Sequence, residues 1–296
     1  MNQYSRTKYT IANTLFNILV RVITLLSAFV VRTIFIKELG LQYAGVQGLF
    51  SDVLNLLSFA ELGFGIAITV ELYKPLANND KNAICKWMHT FKRIYTTIGI
   101  IIFIFGVISC PFISYTVRDV PDIKEDLRLI YLLYVINTSS SYFLIYKTVL
   151  LTASQKDYLA SKYKILTNLL KTLVECAILL VYHNFILYLL VSIIMGFIRN
   201  YIVANVASKE FPFLNTITDC PNLNKTEKRH LVNNVKALFL YKISGVILNS
   251  SDSVIVSVLF GTKYVGLLPN YYLLSNQLYA FIMQLFDATS ASIGNL

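Results

Sequence analysis

Two arginines eleven residues apart, Arg21 and Arg32, stand inside an apolar run from Ile11 to Ile36. Eleven steps of 100° return to within about 20° of one helix face, so the pair forms a cationic stripe. An ionisable group at membrane depth costs ~2.5–3.5 kcal/mol to insert, so each one needs a partner or a task. Arg32 approaches one end of the run, where a long side chain reaches headgroups; Arg21 lies near its middle. Lys242 stands within a later apolar run. Convergent fixed cations in a partly desolvated cavity suit a phosphate or diphosphate group. Lys171 and Glu175 have the i, i+4 spacing of a mutually neutralising structural pair. Asp252 lacks a local counter-ion and is a candidate for ion coupling, or for a bridge between lobes to a cation such as Arg32. Glu61 and Asp287 lie toward the cytoplasmic ends of even helices and read as structural or gating contacts; Asp52, nine residues before Glu61, faces the opposite side.

Nothing in the chain has the spacing of a catalytic centre. His89, His183 and His230 fall in connections, and there is no glycine-rich phosphate loop and no paired carboxylate motif. Cys85, Cys110, Cys176 and Cys220 are dispersed without metal or redox spacing, which predicts reduced thiols. The chain therefore reads as a non-enzyme, with no catalytic residue, metal or cofactor.

These side chains must be positioned by eight apolar runs: Ile11–Ile36, Tyr43–Gly65, Ile94–Val117, Leu127–Leu151, Tyr163–Tyr182, Phe185–Ala207, Val235–Phe260 and Val265–Ile293. Each matches or exceeds the ~20 residues that cross a hydrocarbon layer as a helix. Hydrophobic residues make up 56% and charged residues 14%, against about 25% charged in soluble domains. Continuous apolar runs favour helices, because barrel strands alternate and are only ~10 residues long. The expectation is an all-α polytopic membrane protein with about eight transmembrane helices. Met1–Ile36 reads as an uncleaved first helix, since it is too long and too charged for a signal peptide.

The net charge of +10 is distributed as a topology signal and not as a nucleic-acid surface. With the N-terminus in the cytoplasm, Lys74, Lys81, Lys86, Lys147, Lys156, Lys164, Arg199, Lys225 and most other cations fall on the cytoplasmic side. The opposite side carries only Lys37, Arg118, Lys124, Arg128 and Lys263. Long basic connections lie on the cytoplasmic side and short turns on the other. Leu49–Leu76 is expected to continue past the second crossing as an amphipathic surface helix.

Leu39-Gly40-Leu41-Gln42-Tyr43-Ala44-Gly45-Val46 is echoed 221 residues later by Phe260-Gly261-Thr262-Lys263-Tyr264-Val265-Gly266-Leu267. The same offset carries Arg21 onto Lys242. Six helices separate equivalent points, so the two copies share one orientation, related by an axis along the membrane normal. The expected organisation is a six-helix lobe (1–207), an inter-lobe connection (208–234) and the first helix pair of a second lobe (235–296). The chain thus reads as one complete lobe plus the first hairpin of another.

Glu61-Leu62-Gly63-Phe64-Gly65 and Leu72-Tyr73-Lys74-Pro75-Leu76-Ala77 resemble the second-helix region of bacterial Wzx-type polysaccharide flippases. Asn249-Ser250-Ser251-Asp252-Ser253-Val254-Ile255-Val256-Ser257 resembles their seventh-helix motif. Gly261, Val265-Gly266 and Asn270-Tyr271 continue it, and Ser292-Ile293-Gly294-Asn295 resembles the end of the eighth helix. The resemblance implies the multidrug/oligosaccharidyl-lipid/polysaccharide exporter (MATE-like) fold, with two six-helix lobes about a cavity. It also implies alternating-access transport of undecaprenyl-pyrophosphate-linked O-antigen, capsule or exopolysaccharide units across the bacterial inner membrane. Arg21, Arg32 and Lys242 would then contact the lipid pyrophosphate. The implied partners are that lipid-linked oligosaccharide, membrane lipids and other polysaccharide-assembly proteins. A cation-coupled multidrug antiporter of the same superfamily and a membrane-integral sugar-transferring enzyme are the alternatives. The basic residues lean against the first, and the short connections lean against the second.

Overall fold

The computed structural model describes residues 3–57, 63–116, 123–154, 156–214 and 220–268, with a few positions between 271 and 282. The described helices are α1 (Gln3–Leu39), α2 (Leu41–Leu57), α3 (Phe64–Ala77), α4 (Lys81–Ser109), α5 (Leu127–Ala153), α6 (Tyr158–Tyr182), α7 (Phe185–Glu210) and α8 (Lys225–Phe260). A short 3-10 segment, Cys110–Thr116, extends α4, and residues 262–268 are helical. Among the described residues all regular structure is helical, and the long apolar helices are those of a multi-pass membrane protein. Among the described residues five segments are long and apolar enough to cross a bilayer: Ile18–Leu39, Lys81–Ile113, Leu127–Ala153, Tyr158–Tyr182 and Phe185–Glu210.

Two of the expected runs take a different form. Tyr43–Gly65 is not one helix. Gly63 adopts a φ of 97°, a left-handed conformation that glycine accepts without a Cβ penalty, and α3 starts after it. Helix α3 is two-faced, with Ile66, Val70 and Tyr73 exposed on one side. Ala67, Ile68 and Leu72 are buried in the core beside Met88, Phe91 and Leu150, because α3 presents an apolar face at i, i+1 and i+5 to α4 and α5. The third run starts thirteen residues before its apolar part. Asp80 Oδ1 accepts from the Ala83 N–H at 3.0 Å, capping α4 at Lys81. From there Ile84, Met88, Phe91, Tyr95, Ile98 and Ile102 keep helical spacing along one buried stripe.

The helices make two kinds of end. At the short-turn end, α1 and α8 stop at equivalent glycines, Gly40 (φ 95°) and Gly261 (φ 90°). Each N–H closes the last turn, Gly40 onto Ile36 O and Gly261 onto Ser257 O, both at 3.0 Å. His183 turns the chain between α6 and α7, and the Asn184 side chain accepts from the Leu187 N–H at 2.9 Å. At the long-loop end, residues 220–227 lie against α4. Lys86 pairs with Glu227 at 2.6 Å, His89 Nδ1 lies 3.0 Å from the Cys220 carbonyl, and Arg93 donates to Asn222 at 3.1 Å. Cys85 and Cys220, 135 positions apart in sequence, stand side by side there with their Cα atoms 5.7 Å apart, a proximity that their dispersed spacing does not suggest. Cys110 and Cys176 are free.

Two apolar clusters fill the bundle. One, toward the long loops, gathers Ile68, Leu72, Met88, Phe91, Leu150 and Val235; the other, toward the short turns, gathers Phe35, Phe50, Tyr131, Phe185 and Val265. Edge-to-face contacts, Phe35 with Phe185 (5.7 Å) and Phe50 with Tyr131 (5.3 Å), lock the second. Small residues allow close approach where helices cross: a Cβ on Gly106 would lie 2.6 Å from the Val135 side chain.

Candidate functional site

Helices α1 and α6 run parallel, held by Asn168 Nδ2 donating to Ser27 Oγ (3.2 Å) and by His183 against Glu38 (3.0 Å). Helix α7 returns beside α6, and α5 runs parallel to α7, with Lys147 donating to Ser208 at 2.8 Å. Between these four helices lies a cleft with two adjoining chambers. The smaller, about 100 Å³, is lined by polar groups from three helices, including Asn137, Asn168, Lys171, Ser192 and Arg199. The larger, about 290 Å³, opens toward the long loops. Val20, Leu144, Ile145 and Val203 make its apolar wall, with Lys164, Asn168 and Arg199 facing them. Asn168 and Arg199 line both chambers.

Arg199 therefore belongs to the middle of a crossing, fourteen residues from Phe185 and eleven from Glu210. Helix α7 continues three residues past Ala207, and the Arg199 side chain, exposed on the bundle, lines the cleft. Among the described residues, the side chains of Arg199 and Lys164 make no hydrogen bond or ion pair. Lys171 differs. Its Nζ stands 3.5 Å from Glu175 Oε1, and the Glu175 side chain is only 4% exposed. No carboxylate lines either chamber.

The arginines of α1 part company. Arg21 lies between Val20 and Thr24, which line the larger chamber, and its Nε is buried without a hydrogen bond among the described residues. Arg32 is engaged at the short-turn end: its Nη2 donates to the Gly266 carbonyl at 2.7 Å, with Tyr134 and Tyr188 beside it. Asp252, on α8, accepts from the Tyr272 hydroxyl at 3.1 Å and faces Asp52 of α2, whose carboxylate meets Ser253 and Asn55. Arg32 and Asp252 thus both serve the contact around α8, through different partners. Lys242 lies on α8 with its side chain outside the described residues, as do Glu61 and Asp287 altogether.

The repeat reappears as a reciprocal contact. A Cβ on Gly45 would fall 1.9 Å from the Thr262 carbonyl oxygen; one on Gly266 would fall 2.3 Å from the Leu41 carbonyl oxygen. Thr262 is the counterpart of Leu41, and Gly266 of Gly45. The two hairpins therefore meet backbone to backbone about a local pseudo-two-fold axis at the short-turn end.

No protein-family model, curated protein or solved structure matches this chain. The site is thus read from its own residues. Lys164, Asn168 and Arg199 escaped the sequence reading, yet a signal existed. Lys164, Asn168, Lys171 and Glu175 recur at i, i+4, i+7 and i+11, a polar stripe on an otherwise apolar helix. Arg199 interrupts its run as plainly as Arg21 interrupts the first.

Proposed function

We propose that this chain moves undecaprenyl-pyrophosphate-linked oligosaccharides, the repeat units of O-antigen, capsule or exopolysaccharide, across the bacterial inner membrane by alternating access. The observation that supports this reading is the presence of two cations within apolar crossing helices, Arg21 and Arg199, without carboxylate partners among the described residues. A charge so placed is costly unless it meets an opposite one, and a lipid-borne diphosphate is an anion that enters the bilayer with its chain. The reciprocal packing of the α1–α2 hairpin against α8 and residues 262–268 supports a transporter built from two like-oriented repeats. In this reading the long-loop end, with its lysines and arginines, lies in the cytoplasm.

Deleting the gene in its source cell should abolish the surface glycan and hold the lipid-linked precursor in the cytoplasmic leaflet. The intact gene restores export. An Arg21→Ala version inserts and accumulates normally but exports poorly. Unchanged glycan and precursor in the deletion strain would reject the function; full export by Arg21→Ala would reject the role given to Arg21.

A further inference from the structure

We infer that the cleft walled by α1, α5, α6 and α7 is a binding site for a phosphate ester or diphosphate group, met in order of depth by Lys164, Arg199 and Lys171. The inference rests on the transport reading above, and it moves the phosphate contact away from the seam between the repeats and into this four-helix bundle.

The cations are arranged as a ladder. Lys164 and Lys171 are seven residues apart on α6, which puts them on one face and about 10 Å apart along the axis. Arg199 reaches in from α7 and lines both chambers between them. Its planar fork suits two phosphate oxygens at once, and Asn137, Asn168 and Ser192 add neutral polar groups around the smaller chamber. That chamber, about 100 Å³, has the scale of a phosphate group; the larger one offers the apolar wall that the first carbons of a prenyl or acyl chain require. With no carboxylate in either lining, the cleft attracts an anion and disfavours a cation.

Glu175 gives the site its resting state. It is buried beyond the polar chamber and holds Lys171 at 3.5 Å, so an incoming phosphate competes with Glu175 for that ammonium. Removing the carboxylate charge should therefore strengthen binding, an effect opposite to that of merely loosening the fold.

The test uses the full chain in phosphatidylcholine nanodiscs, titrated calorimetrically with farnesyl diphosphate, with farnesol as the chain-only control. Wild type should bind the diphosphate and not the alcohol. Arg199→Gln and Lys164→Gln should each weaken binding by about tenfold, Arg199→Lys should recover part of it, and Glu175→Gln should tighten it by about threefold. Arg32→Gln should leave it unchanged. Inorganic diphosphate binding as tightly as farnesyl diphosphate would identify a free anion as the ligand. Suppression of the titration by added phosphatidylglycerol would identify a bulk headgroup. Either outcome upholds the cleft as the phosphate site. Absence of diphosphate binding, or equal binding by wild type and both glutamine variants, would overturn it. The two readings fail separately. Cleft-dependent binding with a normal precursor distribution in the deletion strain removes transport and keeps the site. Trapped precursor with full export by Lys164→Gln and Arg199→Gln removes the site and keeps transport.

Discussion

Arg32 and Arg199 are the same residue type at membrane depth, and their surroundings give them opposite meanings. Arg32 sits where two hairpins touch through their backbones, and its charge is met by the Gly266 carbonyl at 2.7 Å. Arg199 sits where four helices stand apart, facing Asn137, Asn168 and Ser192 with no carboxylate in the wall. The first region is closed by the absence of side chains at Gly45 and Gly266; the second is held open by polar side chains that do not neutralise one another. An intramembrane arginine therefore becomes a structural clasp or a binding group according to whether a fixed acceptor is already in reach.

The contrast breaks most severely at the glycines. In Gly45→Leu the added side chain has to enter space occupied by the Thr262 carbonyl, and either hairpin must retreat. We expect a loss of about 3 kcal/mol, at the upper end of overpacking costs, read as a lowered midpoint of SDS unfolding. An unchanged midpoint would mean that the two hairpins do not meet in this way. Next in size is Arg32→Gln, which removes a charge-assisted hydrogen bond and should cost about 2 kcal/mol in the same assay. Arg199→Gln should leave that midpoint unchanged or raise it while weakening diphosphate binding. If both variants lose the same stability, the distinction between clasp and binding group collapses.

The smallest effect lies outside the membrane. The Lys86 ammonium, through its hydrogen bond and with help from the Asn224 N–H, holds the Glu227 carboxyl below the ordinary carboxylate range. A folded-state pKa below the unfolded one means that this contribution is fully present above the unfolded value, about 4.3, and is lost as the pH falls through the folded value. Hydrogen exchange in residues 220–224 should accordingly speed up below about pH 4 in wild type. Lys86→Met should show the fast exchange at every pH. Equal protection in the two proteins at neutral pH would remove the clasp.

How much of this was legible before the structure depends on the range of the interaction. The α6–α7 turn at His183–Asn184 and the extent of α6 and α7 follow from local composition, and the glycine stops at Gly40 and Gly261 from a repeat visible in the letters. The break at Gly63 was hidden because apolar residues continue on both sides of it, and hydropathy does not report a left-handed φ. The early start of α4 was hidden for the opposite reason: a cap at Asp80 launches a helix whose first turns are polar on one side only. Of the candidate cations, Arg21 was identifiable from mid-run placement, whereas Arg199 was absorbed into a count of charges near a helix end.

Sequence alone determined that this chain enters a membrane as helices, because lipid leaves backbone groups no partner outside their own segment and the apolar runs are long enough to cross. It also determined that two stretches, around Gly45 and Gly266, share one pattern. Only the tertiary structure decided which charges are met and which are not. Arg32 finds an acceptor 234 residues away, Cys85 finds Cys220, and Lys164, Lys171 and Arg199 converge from helices whose register is set by packing against α1 and α5. Helix formation is settled within a few turns of chain, whereas the fate of a buried charge depends on whichever groups the fold brings within ångströms of it.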